Sequence, residues 1–306
     1  MWFKNLQLYR LPAPWNISRE TLNAQLEGGR FHPCASQEPL SRGWVAPRAE
    51  DGEALVHSVG GQWLLTLAVE QRLLPSSVVN QEVSERAEKL ALEQGYPPGR
   101  KARRDMKERV TEEFLPRAFT RRRTTAVWID PRNGWLGVDA PSLIKAEEAL
   151  EHLRQCLDDL PLTLVQTQQS PVSVMADCLV SGDAPAGFTV DRDCELKSVD
   201  EEKAAVRYVH HPLEGDHIGE EIRAHISNGK FPTRLALTWD NRISFVLTEK
   251  GEIKRLAFLD VLKENVEQGV ENAEELFEAE FALMSGEFVR FIPALLEALG
   301  GERSAE

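Results

Sequence analysis

The 306-residue sequence is short of several things, and each shortage closes off a class of function. Its four cysteines, Cys34, Cys156, Cys178 and Cys194, are so widely spaced that no C-x-x-C pair occurs. That argues against a zinc ribbon or a redox dithiol, and the four read as buried thiols of a cytosolic protein. No run approaches the roughly 18 consecutive apolar residues of a membrane helix. Met1-Trp2-Phe3-Lys4-Asn5-Leu6 has no charged leader ahead of an apolar stretch, so a cytoplasmic location is expected. The phosphate-loop pattern is missing, because Gly229-Lys230 runs into Phe231-Pro232 with no glycine five residues earlier. G-x-S-x-G, H-E-x-x-H and the dinucleotide fingerprint are missing too, and no cofactor is expected.

Positive charge is also scarce: 36 Lys and Arg stand against 49 Asp and Glu, a formal net charge of −13. Such a chain should repel DNA, yet its bases are gathered in one place. Arg100, Lys101, Arg103, Arg104, Lys107, Arg109, Arg117, Arg121, Arg122 and Arg123 face only Asp105, Glu108, Glu112 and Glu113 within residues 100–123. Ten bases against four acids give +6 locally and leave −19 for the remainder. Asymmetry of this kind points to a polyanion on the basic face and solvent on the acidic rest. Arg104–Glu108, Asp105–Arg109 and Arg109–Glu113 are i, i+4 pairs that would suit any exposed helix. They leave Arg100, Lys101, Arg103 and Lys107 without partners and do not touch Arg117 or the Arg121-Arg122-Arg123 run. An uncompensated stripe repels itself unless an anion relieves it.

An apolar share of 42% and a charged share of 28% suit a folded domain, with disorder expected only for residues 300–306. Alternation predicts strands at 3–10 and 63–69, and a helix at 76–94 closed by Gly95-Tyr96-Pro97-Pro98-Gly99. A second helix is expected over 100–114. Ala102, Met106, Val110 and Phe114 form its narrow seam, with Arg100, Arg103, Arg104 and Lys107 beside them, and Pro116 ends it. Two helices with such thin apolar faces read as a hairpin projecting from a sheet. Residues 124–130 and 135–138 form a β-hairpin around Asn133-Gly134. Helices are expected at 141–157, 171–180, 216–227 and 273–299, the last a long acidic one. A strand at 205–209 and a meander at 233–239, 242–248 and 252–258 complete an α+β fold of mixed and antiparallel sheets.

One enzymatic alternative to binding can be placed on either of two stretches. Asp240 followed by Glu252-Ile253-Lys254 loosely fits a magnesium nuclease, with carboxylates holding the ion and the lysine meeting developing phosphate charge. Asp191 and Asp193 with Glu195-Leu196-Lys197 fit about as well, so the pattern is unspecific. His210, His211, His217 and His225 cluster in sequence, without the spacing of a metal site. Phe119, between Arg117 and Arg121, is either a core residue or an exposed aromatic for base stacking or protein contact.

Leu115-Pro116-Arg117-Ala118-Phe119 with Trp128-Ile129-Asp130 resembles the central signature of the RdgC family of bacterial recombination-associated DNA-binding proteins. The likeness extends through Trp2-Phe3-Lys4-Asn5-Leu6, Pro33-Cys34, Gly43-Trp44-Val45, Lys145-Ala146-Glu147-Glu148, Leu235-Ala236-Leu237-Thr238-Trp239 and Phe281-Ala282-Leu283-Met284-Ser285-Gly286-Glu287. The resemblance implies a ring-shaped homodimer with double-stranded DNA in a basic hole. It also implies nucleoid association, little sequence preference, restraint of the RecA recombinase and no enzymatic activity. On this reading 1–75 with 124–165 form a central region, 76–123 a finger with Phe119 at its tip contact, and 166–306 a base. Lys230 and Arg234 would serve the base of the ring, whereas Val209-His210-His211-Pro212 is less basic than a pore-facing loop should be. An acidic exterior that includes the C-terminal helix would keep DNA inside.

Overall fold

The computed structural model describes residues 2–48, 54–198, 204–213, 216–262 and 272–303. Its elements run β1 (Gln7–Arg10), α1 (Arg19–Leu26), β2 (Leu40–Val45), β3 (His57–Val59), β4 (Gln62–Arg72), α2 (Ser76–Gln94), α3 (Arg100–Phe114), β5 (Thr120–Asp130), β6 (Trp135–Val138) and α4 (Leu143–Cys156). There follow β7 (Thr163–Leu164), α5 (Pro171–Ser181), β8 (Phe188–Ser198), β9 (Ala205–Tyr208), α6 (Asp216–Ser227), β10 (Lys230–Trp239), β11 (Ile243–Thr248), β12 (Ile253–Phe258) and α7 (Ala273–Ala298). The fold is α+β, and every ladder between these strands is antiparallel. Among the described residues no helix is long and apolar enough to cross a membrane.

The first sheet has the order β2-β4-β5-β6-β1-β7, with β3 also on β4. Its spine is the β4–β5 ladder, in register from Trp63↔Ile129 to Arg72↔Thr120. Successive strand residues face opposite sides, and both sides of this sheet are apolar. Leu65, Leu67, Val69, Val127 and Ile129 pack with Leu22 and Leu26 of α1 and with Ala146, Leu150 and Leu153 of α4. Leu64, Ala126 and Trp128 face the other way, into a core shared with the second sheet.

That second sheet has the order β12-β11-β10-β8-β9. Helix α7 lies between the two sheets. Phe288 meets Phe3 at 5.7 Å, Trp128 at 5.2 Å and Phe258 at 5.7 Å, while Phe291 meets Trp239 at 5.6 Å and Phe245 at 5.1 Å. The expectation of an acidic outer helix here is corrected. Phe281, Met284, Phe288, Phe291, Ile292 and Leu295 are buried, and Glu287, 3% exposed, is held by Arg242 at 2.6 and 2.8 Å. Acid is concentrated in the first two turns, at Glu274, Glu275, Glu278 and Glu280, and the first pair favours the helix dipole.

Other differences have local causes. Residues 3–6 do not extend β1; Leu6 instead exchanges backbone hydrogen bonds with Ile253, tying the sheets together. Helix α1, β2 and β8 went unread. Helix α1 shows only Leu22 and Leu26 as buried residues, and β8 carries charge at Asp191, Arg192, Asp193, Glu195 and Lys197. Residues 300–303 are ordered by Gly301 N–H to Leu296 O and Arg303 N–H to Gln166 O, both 2.8 Å, which corrects the expected disorder there; 304–306 lie outside the described residues.

Candidate nucleic-acid interface

The basic run divides between a helical hairpin and a strand. Helix α2 stops at Gly95, whose φ of 82° is left-handed and whose N–H donates to Ala91 O at 2.9 Å. Glycine takes that conformation without the steric cost a side chain incurs. Pro97 and Pro98 then prevent continuation, and α3 begins after Gly99 with no side-chain cap and no acid in its first turn. Arg100, Lys101 and Arg103 thus crowd the positive end of the α3 dipole, an arrangement that an external anion relieves.

Two devices fix the hairpin. Arg86 of α2 reaches both oxygens of Glu113 on α3, at 3.1 and 2.6 Å, and also Glu82 at 2.7 Å. The Arg86 hydrogen bonds hold the Glu113 carboxyl below its ordinary range. Arg72, at the end of β4, donates to the carbonyls of Cys34, Ala35, Pro116 and Ala118 and so clamps the hairpin's root. Apolar support is slight: Val79, Ala87, Val110 and Leu115 are buried, whereas Ala102 of the expected seam is exposed.

Of the three i, i+4 pairs expected on α3, only Arg104–Glu108 forms, at 3.1 Å between two exposed side chains. Among the described residues Arg100, Lys101, Arg103, Lys107, Arg109 and Arg117 make no ion pair within 4 Å. The surplus read from the sequence is therefore present as unneutralised surface charge.

Arg121, Arg122 and Arg123 belong to β5, not to the hairpin, because β4 continues past Val69 and pairs with them as far as Arg72. Strand alternation separates the three. Arg122 pairs with Glu70 at 3.3 Å and lies over the Phe31 ring at 4.4 Å. Arg123 pairs with Glu148 at 2.7 Å, a carboxylate shared with Lys145 at 2.6 Å. Burial acts to raise Glu148, but hydrogen bonds from Lys145 and Arg123 outweigh it and keep its carboxyl low. Arg121 makes no ion pair among the described residues. Together with Arg123 and Lys145 it lines a groove of about 360 Å³ beside Leu73 and Asp139.

Phe119 is 86% exposed, so the core reading is overturned. Its place also differs from the expected hairpin tip. It follows the short turn after α3, at the root, about 22 Å of helix from the Gly95–Gly99 turn. Tyr96 and Leu92, 64% and 86% exposed, occupy the tip instead. Their exposure was not legible, because a tyrosine and a leucine beside a turn read equally well as its packing.

Lys230 and Arg234 stand on β10 of the second sheet, away from the run in sequence and in sheet. Lys230 is half-buried with its Nζ 3.4 Å from His225 Nδ1, and Arg234 is exposed. The nuclease constellation of Asp240, Glu252 and Lys254 does not assemble. Asp240 sits in the β10–β11 turn near Arg290 at 3.6 Å, whereas Glu252 lies beyond the far end of β11 and is held by Lys254 at 2.8 Å. Six strand residues, about 20 Å, separate them. Among the described residues no three His, Cys, Asp or Glu side chains converge as a metal site would require; His217 faces Glu221 at 3.4 Å.

Comparison with known proteins identifies the family of the whole chain. The family described as "Putative exonuclease, RdgC" matches residues 1–302. A relative in Dechloromonas aromatica, named recombination-associated protein RdgC, is 67% identical over 302 residues, which is 99% of this chain and 98% of the relative. Proteins of the same name in Cupriavidus pinatubonensis and Janthinobacterium sp. are 53% and 51% identical, with at least 99% of each chain covered.

Proposed function

The chain belongs to the RdgC family of recombination-associated proteins, and from that premise we propose that it binds double-stranded DNA without reading its sequence. It does so as a non-catalytic, ring-shaped homodimer that restrains RecA-dependent recombination on the nucleoid. The observation that carries this reading is the set of seven bases, Arg100, Lys101, Arg103, Lys107, Arg109, Arg117 and Arg121, left without ion pairs among the described residues of a chain with net charge −13. Arg104, exposed and weakly paired, and Arg123, beside the groove of Arg121, extend the surface. Lys230 and Arg234 would continue it onto the second sheet.

Phosphate contacts position a protein on DNA but carry no sequence information. The nuclease alternative loses its footing with the separation of Asp240 from Glu252 and Lys254. Exposed Phe119 supports closure of the ring, because a two-fold interface can cover such a residue with its own equivalent. The test is binding to a fluorescent duplex at increasing salt. Six to ten phosphate contacts predict a fall of about 10³–10⁵ in affinity between 50 and 200 mM, with little change when the sequence is scrambled. A marked preference for one duplex at fixed salt would sink the reading, as would a strand-exchange reaction by RecA that proceeds undisturbed on coated duplex.

A further inference from the structure

A second concentration of cations surrounds an open groove of about 240 Å³ on the second sheet. Arg207 of β9, Arg234 of β10, and Lys254 and Arg255 of β12 line it, beside Asp193 and Glu195 of β8. The acids here are already engaged. Glu195 is 2% exposed and accepts hydrogen bonds from Arg207 Nε at 2.9 Å, from Arg207 Nη2 and from Thr233 at 2.9 Å, with Lys197 at 3.1 Å. Asp193 accepts the His210 backbone N–H at 2.8 Å and pairs with Arg255 at 3.2 Å, and Glu252 takes Lys254 at 2.8 Å. Four cations, Arg207, Lys197, Arg255 and Lys254, thus share three carboxylates, and a fifth, Arg234, makes no ion pair among the described residues. A guanidinium carries five N–H donors. Glu195 takes two from Arg207, which fixes the group and leaves three for a ligand.

The backbone is irregular where these arginines enter. The β8–β10 register shifts between Pro232 and Arg234, and the β11–β12 register shifts between Ser244 and Val246, where Arg255 adopts a left-handed φ of 49°. Bulges re-aim side chains and recur beside binding sites. Two independent register breaks each place an arginine on one groove.

We infer that this groove is a phosphate-binding site, filled by one phosphate of a DNA strand held against the second sheet. Guanidinium forks match the several acceptors of a tetrahedral oxyanion, and the volume suits a phosphate with its sugar, not a duplex. The choice of DNA as the source rests on the proposed function; the phosphate site does not. An internal phosphodiester and a terminal phosphate share this chemistry.

The experiment follows the Nε–H resonances of Arg207, Arg234 and Arg255 while inorganic pyrophosphate is added, with citrate as a carboxylate control. Saturable shifts with pyrophosphate and not citrate are expected, weakened about tenfold in Arg234→Gln with the melting temperature unchanged. Arg255→Gln, on the opposite side of the groove, should weaken it similarly. On DNA, Arg234→Gln should lower the salt slope by about 0.9, the value of one phosphate. Equal shifts with a closed circle and a linear duplex assign an internal phosphodiester, and shifts only with a 5′-phosphorylated end assign a terminal one. Pyrophosphate shifts without any DNA binding sustain the site and remove the DNA reading. No shift with pyrophosphate, or an equal one with citrate, overturns the inference.

Discussion

Leu73 donates its backbone N–H to the carbonyl of Phe119 at 2.7 Å, which leaves the Phe119 ring 86% exposed beside a Leu73 side chain that is itself 47% exposed. The backbone is fixed by this bond and by the Arg72 clamp one residue earlier, and the ring contributes little to the core. Phe119→Ser should therefore leave the melting temperature within about 1 °C of the parent, as surface changes within ±0.5 kcal/mol do. An interfacial aromatic often costs about 2 kcal/mol or more when truncated. In the ring proposed above, the same variant should release a closed circular plasmid faster than the parent does. A lower melting temperature with unchanged release would return Phe119 to a structural role.

The three consecutive arginines of β5 should behave differently when replaced singly. Arg121→Ala should leave stability untouched and lower affinity for every duplex alike, with a salt slope reduced by about one. Arg122→Ala breaks contacts with Glu70 and Phe31. Its expected effect is a loss of stability of about 0.5–1 kcal/mol with a nearly normal salt slope. Denaturant melts paired with anisotropy separate the two. Equal effects of both variants on binding would show that alternation along β5 does not sort these side chains.

The parts of this fold that follow from local signals were legible. Gly95 to Gly99 announced the hairpin, Asn133-Gly134 announced the β5–β6 turn, and the charge surplus of residues 100–123 survives as unpaired surface charge. What was not legible depends on partners distant in sequence. Thr120 to Arg123 have no apolar alternation and become a strand because β4 offers them backbone partners. Asp193 and Arg255, 62 residues apart, meet through sheet order that no local pattern encodes. Helix α7 misled because its acids dominate the first turns, while its aromatic residues gain meaning only between two sheets.

The family description that includes the word exonuclease makes cleavage worth measuring directly. An end-labelled linear duplex incubated with Mg²⁺ should release no labelled mononucleotide beyond a buffer blank. Asp240→Asn should be indistinguishable from the parent, since Asp240 lies about a β11 length from Glu252. Release of mononucleotides that disappears in that variant would restore the nuclease reading.

Glu195 sets an acid limit on the second sheet. Burial pushes its carboxyl upward, but hydrogen bonds from Arg207, Lys197 and Thr233 overcome that and hold it at about 2, against an ordinary value of 4.5. A carboxylate depressed in the folded state binds fewer protons there than when unfolded, so its contribution is complete above the unfolded value. It is lost as pH falls through the folded one. The window is therefore about pH 4.5 down to 2, and the contribution at neutral pH, reduced by solvent around the exposed Arg207 and Lys197, is of order 2–3 kcal/mol. Glu195→Gln should lower stability at pH 7, because it strips the charge partner from Arg207 and Lys197. Its denaturation midpoint should then change less than the parent's between pH 4.5 and 2. Parallel pH profiles for the two proteins would show that the Arg207 and Lys197 contacts do not depress this carboxyl in solution.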